Sequence, residues 1–211
     1  MTDFTDLVDG YQRFRTADYR RQRDRWAELA QGQSPKVMVI ACSDSRVDPA
    51  QIFDTFPGEI FVVRNVAALV PPYETTGGHH GVSAALEFAV TKLNVEEVVV
   101  LGHGACGGCA AALARSFADA APGGDGYFIG DWVSMLDGAA ETVEARCGTR
   151  EGDEAKREME MEGVRTSLAN LETFPFVKER LESGKLELHG AYFAIADGVL
   201  RVLKNGEFVP A

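Results

Sequence analysis

Two short runs of apolar, mostly β-branched residues constrain this chain most, because metal-binding side chains follow each of them directly. The runs are Val37-Met38-Val39-Ile40 and Val98-Val99-Val100-Leu101. Short all-apolar runs of this kind are typical of strands that are buried on both faces of a parallel sheet. Cys42 follows the first run, and His103 and Cys106 follow the second. We therefore expect these three side chains to converge at the carboxyl edge of one sheet.

The other predicted elements favour an α/β fold. Strand patterns at 37–41, 60–63, 98–101 and 186–195 alternate with helical patterns, which predicts a mostly parallel sheet covered by helices. The turn signal Asp197-Gly198 leads into the pattern Val199 to Lys204, which predicts an antiparallel C-terminal edge strand. We therefore expect four parallel strands plus that edge strand, with an N-terminal helical arm over 1–31, in one domain that spans residues 1–211.

Composition limits the partners and the compartment. The 211 residues are 45% hydrophobic, which is enough to build the core of one domain. A formal net charge of −11 disfavours nucleic acid and anionic membranes as partners. No apolar run reaches the roughly 20 residues that span a bilayer, and the acidic N-terminus does not resemble a signal peptide. We therefore predict a cytoplasmic protein whose four cysteines are metal ligands or free thiols.

Two thiolates and one imidazole supply three of the four ligands that tetrahedral zinc takes. Asp44 and Arg46 follow Cys42 closely, so the fourth position belongs either to Asp44 or to water. If Arg46 holds Asp44 in a bidentate ion pair, water can bind, and zinc lowers the pKa of bound water to about 7. Asp44 would then accept a hydrogen bond from the resulting hydroxide and orient it.

The two ligand motifs, taken together, resemble those of the β-class carbonic anhydrases. They are Cys42-Ser43-Asp44-Ser45-Arg46 and His103-Gly104-Ala105-Cys106-Gly107-Gly108. Four further segments resemble the plant-type branch: Gln31-Gly32-Gln33-Ser34-Pro35-Lys36, Phe61-Val62-Val63-Arg64-Asn65-Val66-Ala67, Leu69-Val70-Pro71-Pro72-Tyr73 and the tail from Thr173-Phe174-Pro175-Phe176-Val177 through Leu188-His189-Gly190-Ala191-Tyr192-Phe193. The resemblance implies a lyase that interconverts CO2 and bicarbonate by attack of zinc-bound hydroxide. It also implies one Zn2+ per chain and a homodimer or a dimer of dimers.

By the same resemblance, Cys42, His103 and Cys106 are the zinc ligands. Asp44 and Arg46 are implied as the catalytic pair that orients the nucleophile. The resemblance also allows Asp44 to become a fourth zinc ligand in a closed state of the site.

The substrate pocket is likewise implied by the resemblance, and part of it is expected to come across the dimer interface. Its predicted lining residues are Gln33, Phe61, Val66 and Phe88. Plant-type enzymes have Tyr where this chain has Phe88, so one hydroxyl group is absent from the expected pocket. The helical arm over 1–31 is expected to pack on the partner subunit.

Two alternatives to CO2 hydration remain open. The same zinc site could hydrolyse CS2 or COS, with the shape of the entrance deciding between the substrates. The chain could instead be a non-catalytic scaffold that zinc stabilises, with Cys109 in place of water as the fourth ligand. Such a closed site would need neither Asp44 nor Arg46, and their presence favours the enzyme.

Overall fold

The computed structural model of the chain describes residues 2–76 and 78–211. Contacts between residues divide it into two compact units, one that ends at Ser34 and one that runs from Pro35 to Ala211. The predicted helical arm lies within the first unit. The single-domain boundaries and the packing of the arm on a partner stay predictions.

The first unit consists of three consecutive helices: α1 (Phe4–Thr16), α2 (Asp18–Arg21) and α3 (Arg23–Leu29). A reciprocal capping box between Asp3 and Asp6 begins α1. The rings of Phe14 and Tyr19 pack against Trp26 at centroid distances of 5.8 Å and 5.7 Å. These aromatic contacts hold the three helices of the unit together.

The second unit is built on a six-stranded sheet with the order β2-β1-β3-β4-β5-β6. The strands are β1 (Val37–Cys42), β2 (Ile60–Asn65), β3 (Glu97–His103), β4 (Glu187–Ala194), β5 (Val199–Lys204) and β6 (Glu207–Pro210). The first four are mutually parallel, and β5 and β6 pair antiparallel at the end of the sheet. The predicted α/β class is confirmed. The edge, however, belongs to β6, which the sequence analysis missed, and not to β5.

Helices of the second unit cover the sheet. They are α4 (Pro49–Ile52), α5 (Gly81–Glu87), α6 (Gly107–Leu113), α7 (Tyr127–Val133), α8 (Asp137–Cys147), α9 (Gly152–Leu171) and α10 (Pro175–Glu182), and α5 continues as a π-helix over Phe88–Leu93. The longest of them, α9, packs on β3 and β4. It approaches closely at Gly102, where a Cβ would lie only 2.5 Å from Cγ2 of Val164. Among the described residues, every helix is too short or too polar to cross a membrane.

Burial along β1 explains how this strand delivers its last residue to the site. Met38 and Ile40 belong to the apolar cluster that also contains residues of α9, whereas Val39 and Ala41 belong to a cluster on the opposite face. Side chains alternate between the two faces of a strand, so Cys42 emerges on the face that Met38 and Ile40 share. The apolar run of β1 is therefore buried on both faces, as its composition predicts.

Candidate metal centre

Cys42, His103 and Cys106 meet at the carboxyl edge of the sheet, where the sequence predicted their convergence. Their ligand atoms all lie within 4.8 Å of one another, and the Sγ atoms of Cys42 and Cys106 are 4.0 Å apart. All three residues are buried. The register that pairs Ala41 with Leu101 brings the ends of β1 and β3 side by side. Two sulfurs and one ring nitrogen at this separation match the ligand set of tetrahedral zinc.

The ring of His103 is oriented as a metal ligand requires. Its Nδ1 lies 2.9 Å from the carbonyl oxygen of Gly104, so that nitrogen is assigned as the N–H donor. Among the described residues, its buried Nε2 has no hydrogen-bond partner. A buried polar atom without a partner is costly, and ligating histidines commonly donate their second ring N–H to a backbone carbonyl. The site therefore fits a soft divalent cation that takes Nε2 as a ligand.

Burial and neighbouring thiols raise the pKa values of both cysteines of the cluster. A hydrogen bond with Cys106, together with burial, raises the pKa of Cys42 to about 12. Contact with the thiol of Cys109, together with burial, raises the pKa of Cys106 to about 12. Burial would lower the pKa of His103, but the neighbouring Cys42 sulfur and Gly104 carbonyl outweigh it and raise that pKa. Because a metal ion binds thiolates, it must displace both thiol protons.

Asp44 lies beside the ligand cluster and is held by Arg46. Nε and Nη2 of Arg46 donate to the two carboxylate oxygens at 2.9 Å and 2.7 Å, and the backbone N–H of Arg46 donates at 3.0 Å. These bonds from the guanidinium and the backbone keep the pKa of Asp44 well below its usual range. Nη2 also donates to the carbonyl oxygen of Ala105 at 3.0 Å, which ties this pair to the segment that carries His103 and Cys106. The structure thus has both oxygens of Asp44 turned to Arg46.

Arg64 holds the segment that carries Asp44, a role that the sequence analysis did not identify. Its Nε donates to the carbonyl oxygen of Cys42 at 2.9 Å, and its Nη2 donates to that of Asp44 at 2.6 Å. It also forms an ion pair with Asp48, which caps α4. An arginine within an otherwise apolar strand pattern is the signal that points to such a partly buried bonding role.

Residues 103–106, here called the ligand loop, are held from behind by two residues that the sequence analysis also missed. Oε1 of Glu160 accepts the backbone N–H of Cys106 at 3.0 Å. The hydroxyl of Tyr192 donates to Oε2 of Glu160 at 2.8 Å. Tyr192 lies opposite Gly102 in the register of β3 and β4, which places it directly beside the ligand loop.

The predicted pocket residues lie at different distances from the ligand cluster. Val66 lies close to α6, since a Cβ on Gly108 would approach Cγ1 of Val66 to 2.6 Å. Phe61 pairs with Met38 in β1, four residues before Cys42, so it lies roughly 13 Å from the ligand edge of its own sheet at about 3.3 Å per residue. Phe88 packs against Phe61 at a centroid distance of 6.1 Å.

The sequence also predicted a pocket role for Gln33 and considered Cys109 as a fourth metal ligand. Gln33 belongs to the first compact unit, and its part in the pocket stays a prediction. Cys109 is buried in α6, but within the described part of the chain the metal-binding cluster comprises only Cys42, His103 and Cys106. The fourth-ligand role considered for Cys109 therefore finds no support in the geometry.

The family model and the curated relatives that match this chain are all carbonic anhydrases. The family model described as carbonic anhydrase matches residues 37–200. "Beta carbonic anhydrase 3" of Arabidopsis thaliana is 38% identical over 192 residues, which cover 91% of this chain and 73% of that protein. "Beta carbonic anhydrase 5, chloroplastic" of the same plant is 37% identical over 194 residues, which cover 92% of this chain and 62% of that protein. The chain therefore spans about two thirds of the length of these relatives.

Solved structures agree with this assignment. The β-carbonic anhydrase CcaA matches with a TM-score of 0.90 and 31% identity, over 100% of both chains. A tetrameric β-carbonic anhydrase of Sordaria macrospora matches with a TM-score of 0.79 and 28% identity, over 98% of both chains. A Coccomyxa β-carbonic anhydrase in complex with acetazolamide gives a TM-score of 0.83 and 26% identity, over 96% of this chain and 87% of that one.

Proposed function

The chain belongs to the β-class carbonic anhydrase family, and on that premise we propose that it hydrates CO2 reversibly to bicarbonate and a proton with the help of zinc. The observation that carries this proposal is the buried cluster of Cys42, His103 and Cys106, in which Nε2 of His103 has no hydrogen-bond partner among the described residues. Those three residues would hold one zinc ion per chain.

Zinc in such a site acts as a Lewis acid that lowers the pKa of a bound water to about 7 and so supplies a nucleophile at neutral pH. The protein's contribution is to leave room for that water and to orient it. Arg46 engages both carboxylate oxygens of Asp44, which supports a fourth position that is open rather than closed by Asp44.

Asp44 would orient the nucleophile. Hydrogen bonds from Arg46 keep the pKa of this carboxyl well below its usual range, so it stays ionised and can accept a hydrogen bond at any working pH. This carboxylate would accept a hydrogen bond from the nucleophile and so orient it toward the carbon of CO2. Arg46 fixes the carboxylate. Its hydrogen bond to the carbonyl oxygen of Ala105 also fixes the position of the carboxylate relative to the ligand loop.

We also propose that the working protein is a homodimer or a dimer of dimers. Phe61 lies at the opposite end of its strand from its own zinc ligands, and Phe88, which packs on it, is 47% exposed. Such an aromatic pair suits the apolar wall of a partner's pocket, because CO2 has no net dipole. Gln33 and Val66 are proposed to complete the pocket, and a tetrameric relative from Sordaria macrospora supports assembly. The cytoplasmic location stays a prediction.

Stopped-flow CO2 hydration with a pH indicator tests the proposed function. The zinc-loaded full chain is expected to exceed the buffer rate between about pH 7 and 9, with a rate that rises as the nucleophile forms. The zinc-stripped chain serves as the control. Only the buffer rate, from protein that contains zinc, would contradict the proposal. A parallel assay of sulfide release from CS2 and COS tests the alternative substrates on the same samples.

A further inference from the structure

Glu160 is the only buried carboxylate among the described residues, with 6% of its surface exposed. Both of its oxygens have assigned donors: Oε1 accepts the backbone N–H of Cys106 at 3.0 Å, and Oε2 accepts the hydroxyl of Tyr192 at 2.8 Å. Buried carboxylates are rare and are kept only where specific donors compensate their loss of water. A buried carboxylate that bonds the backbone of a predicted metal ligand therefore indicates a specific role for Glu160.

The local sequence explains why this carboxylate comes from another helix. Cys106 is the N-cap residue of α6, and its backbone N–H needs a partner. In a capping box, a Glu at the third helical position accepts that N–H. The third helical position of α6 is Cys109, whose thiol is a poor acceptor. Glu160 of α9 supplies the missing carboxylate from across the packed helices.

The ligand loop itself depends on such support. Ala105 has a φ of 56°, a left-handed conformation that is unfavourable for a residue with a Cβ. At Gly104, a Cβ would lie 3.1 Å from the hydroxyl oxygen of Tyr192, so the loop fits tightly against that side chain. A tight turn with an unfavourable backbone conformation persists only where its surroundings hold it. Glu160, which Tyr192 anchors, bonds the loop on one side through the N–H of Cys106. Arg46 bonds it on the other side through the carbonyl oxygen of Ala105.

Tyr192 is suited to be a permanent donor. It is 4% exposed, and burial together with the neighbouring Glu160 raises its pKa above the usual value. The hydroxyl therefore keeps its proton at every pH at which the enzyme works. Glu160 has one fixed donor on each oxygen, which fixes the orientation of its carboxylate.

We propose that Glu160, anchored by Tyr192, is a positioning residue that holds the ligand loop in the geometry that zinc requires. The inference rests on the proposed zinc site but concerns residues that do not touch the metal. Without the carboxylate, the buried N–H of Cys106 loses its acceptor, and the strained loop loses the contact that fixes its last residue. The Cys106 sulfur would then be presented less precisely to the metal.

The affinity of the full chain for zinc, measured by competition with a chromophoric chelator, tests this role. We expect Glu160→Ala to lower the affinity about 10- to 100-fold, the usual effect of removing a residue that orients a metal ligand. Glu160→Gln keeps an oxygen acceptor of the same shape for the Cys106 N–H, so it is expected to restore most of the affinity. Tyr192→Phe is expected to lower the affinity by about threefold to tenfold, because the carboxylate remains but loses its anchor.

The control is Glu154→Gln, an exposed exchange on the same helix, which should leave zinc affinity at the wild-type value. Cobalt-loaded protein gives a second readout: the thiolate-to-cobalt absorption should change in Glu160→Ala and return toward wild type in Glu160→Gln. A merely structural role would lower the unfolding temperature and leave that spectrum unchanged.

The outcomes separate this inference from the proposed function. If the wild type binds no zinc, the proposed function falls and the inference falls with it. If the wild type binds zinc and Glu160→Ala matches it in affinity and in cobalt spectrum, only the inference is overturned. If Glu160→Ala does not fold, Tyr192→Phe decides, and wild-type affinity in that variant overturns the proposal.

Discussion

At the scale of single residues, the proposed chemistry depends on where charge and protons reside around the cluster. Neighbouring thiols and burial raise the pKa values of Cys42 and Cys106, which favours the protonated form of both side chains. Asp44 does the opposite, because bonds from Arg46 keep its carboxyl ionised. The site therefore offers a metal ion two thiols to deprotonate and places beside it one carboxylate that is already charged and fixed.

Asp44→Asn tests the orienting role at this scale. The amide keeps the shape of the side chain but loses the charge and one acceptor oxygen of the bidentate pair. We expect kcat/KM for CO2 to fall about 100-fold, within the usual range for a positioned acid–base group. Zinc content should stay at the wild-type level, since Asp44 is outside the ligand cluster.

The pH profile of the same variant provides a sharper readout. Because hydrogen bonds from Arg46 keep the pKa of the Asp44 carboxyl well below its usual range, titration of Asp44 would not cause the rise of activity expected between about pH 7 and 9. The variant should therefore keep a rise of activity with pH, but with a lower plateau. Asp54→Asn, an exposed exchange outside the site, is the matched control and should be unaffected. Wild-type kcat/KM in Asp44→Asn would refute the orienting role.

At the scale of elements, α9 links the parts of the site. Glu160, Val164 and Ser167 lie on its buried face. Glu160 reaches Cys106, Val164 packs where Gly102 lacks a side chain, and Ser167 bonds the backbone of Ala68 and Val70. One helix thus supports both the ligand loop and the segment that follows β2.

Two adjacent glycines of α6 test this packing. A Cβ at Gly108 would lie 2.6 Å from Cγ1 of Val66 and 3.0 Å from Cβ of Ala67, whereas a Cβ at Gly107 would meet nothing within 4 Å. Gly108→Ala is therefore expected to destabilise the zinc-loaded protein by about 1–3 kcal/mol through overpacking. Gly107→Ala should change stability by less than about 1 kcal/mol. Denaturant unfolding measures both, and equal effects would show that the close approach at Gly108 is not a constraint.

The sequence predicts elements where local pattern decides the structure. The apolar runs predict β1 and β3, and the spacing of cysteine and histidine after them predicts the ligand cluster. Four residues that end in Pro210 form β6 only because β5 offers an edge to pair with, so their pattern is too short to detect. Glu160 was missed because it lies among many acidic residues. Its position four residues before Val164 and seven before Ser167 was the available signal of a buried face.

At the scale of the whole molecule, the proposed site requires more than one chain. The pair Phe61 and Phe88 lies far from the zinc ligands of its own sheet, so it can line a zinc site only in a partner. The strand register is consistent with the proposed oligomer, and the tetrameric relative from Sordaria macrospora supports it. Each zinc site would then contain ligands from one chain and part of its apolar wall from another.

Mixed dimers test this sharing of sites. Asp44→Asn disables the site of its own chain, and Phe88→Glu would place a charge in the apolar wall of its partner's site. If walls are shared, a dimer with one chain of each kind contains one intact site, so about half of the wild-type activity should return, as two-fold symmetry requires. Dimers selected through two different affinity tags provide the measurement. If activity stays at the average of the two parent variants, Phe88 acts within its own chain or not at all.

CO2 hydration, followed while zinc is added stepwise to the metal-stripped full chain, tests whether the bound zinc carries the activity. We expect the rate to rise in proportion to added zinc and to stop rising at one equivalent per chain. Cys42→Ser and His103→Ala are expected to abolish this proportionality. A chain that binds its zinc and still shows only the buffer rate across the alkaline range would contradict the proposal that bound zinc carries the activity.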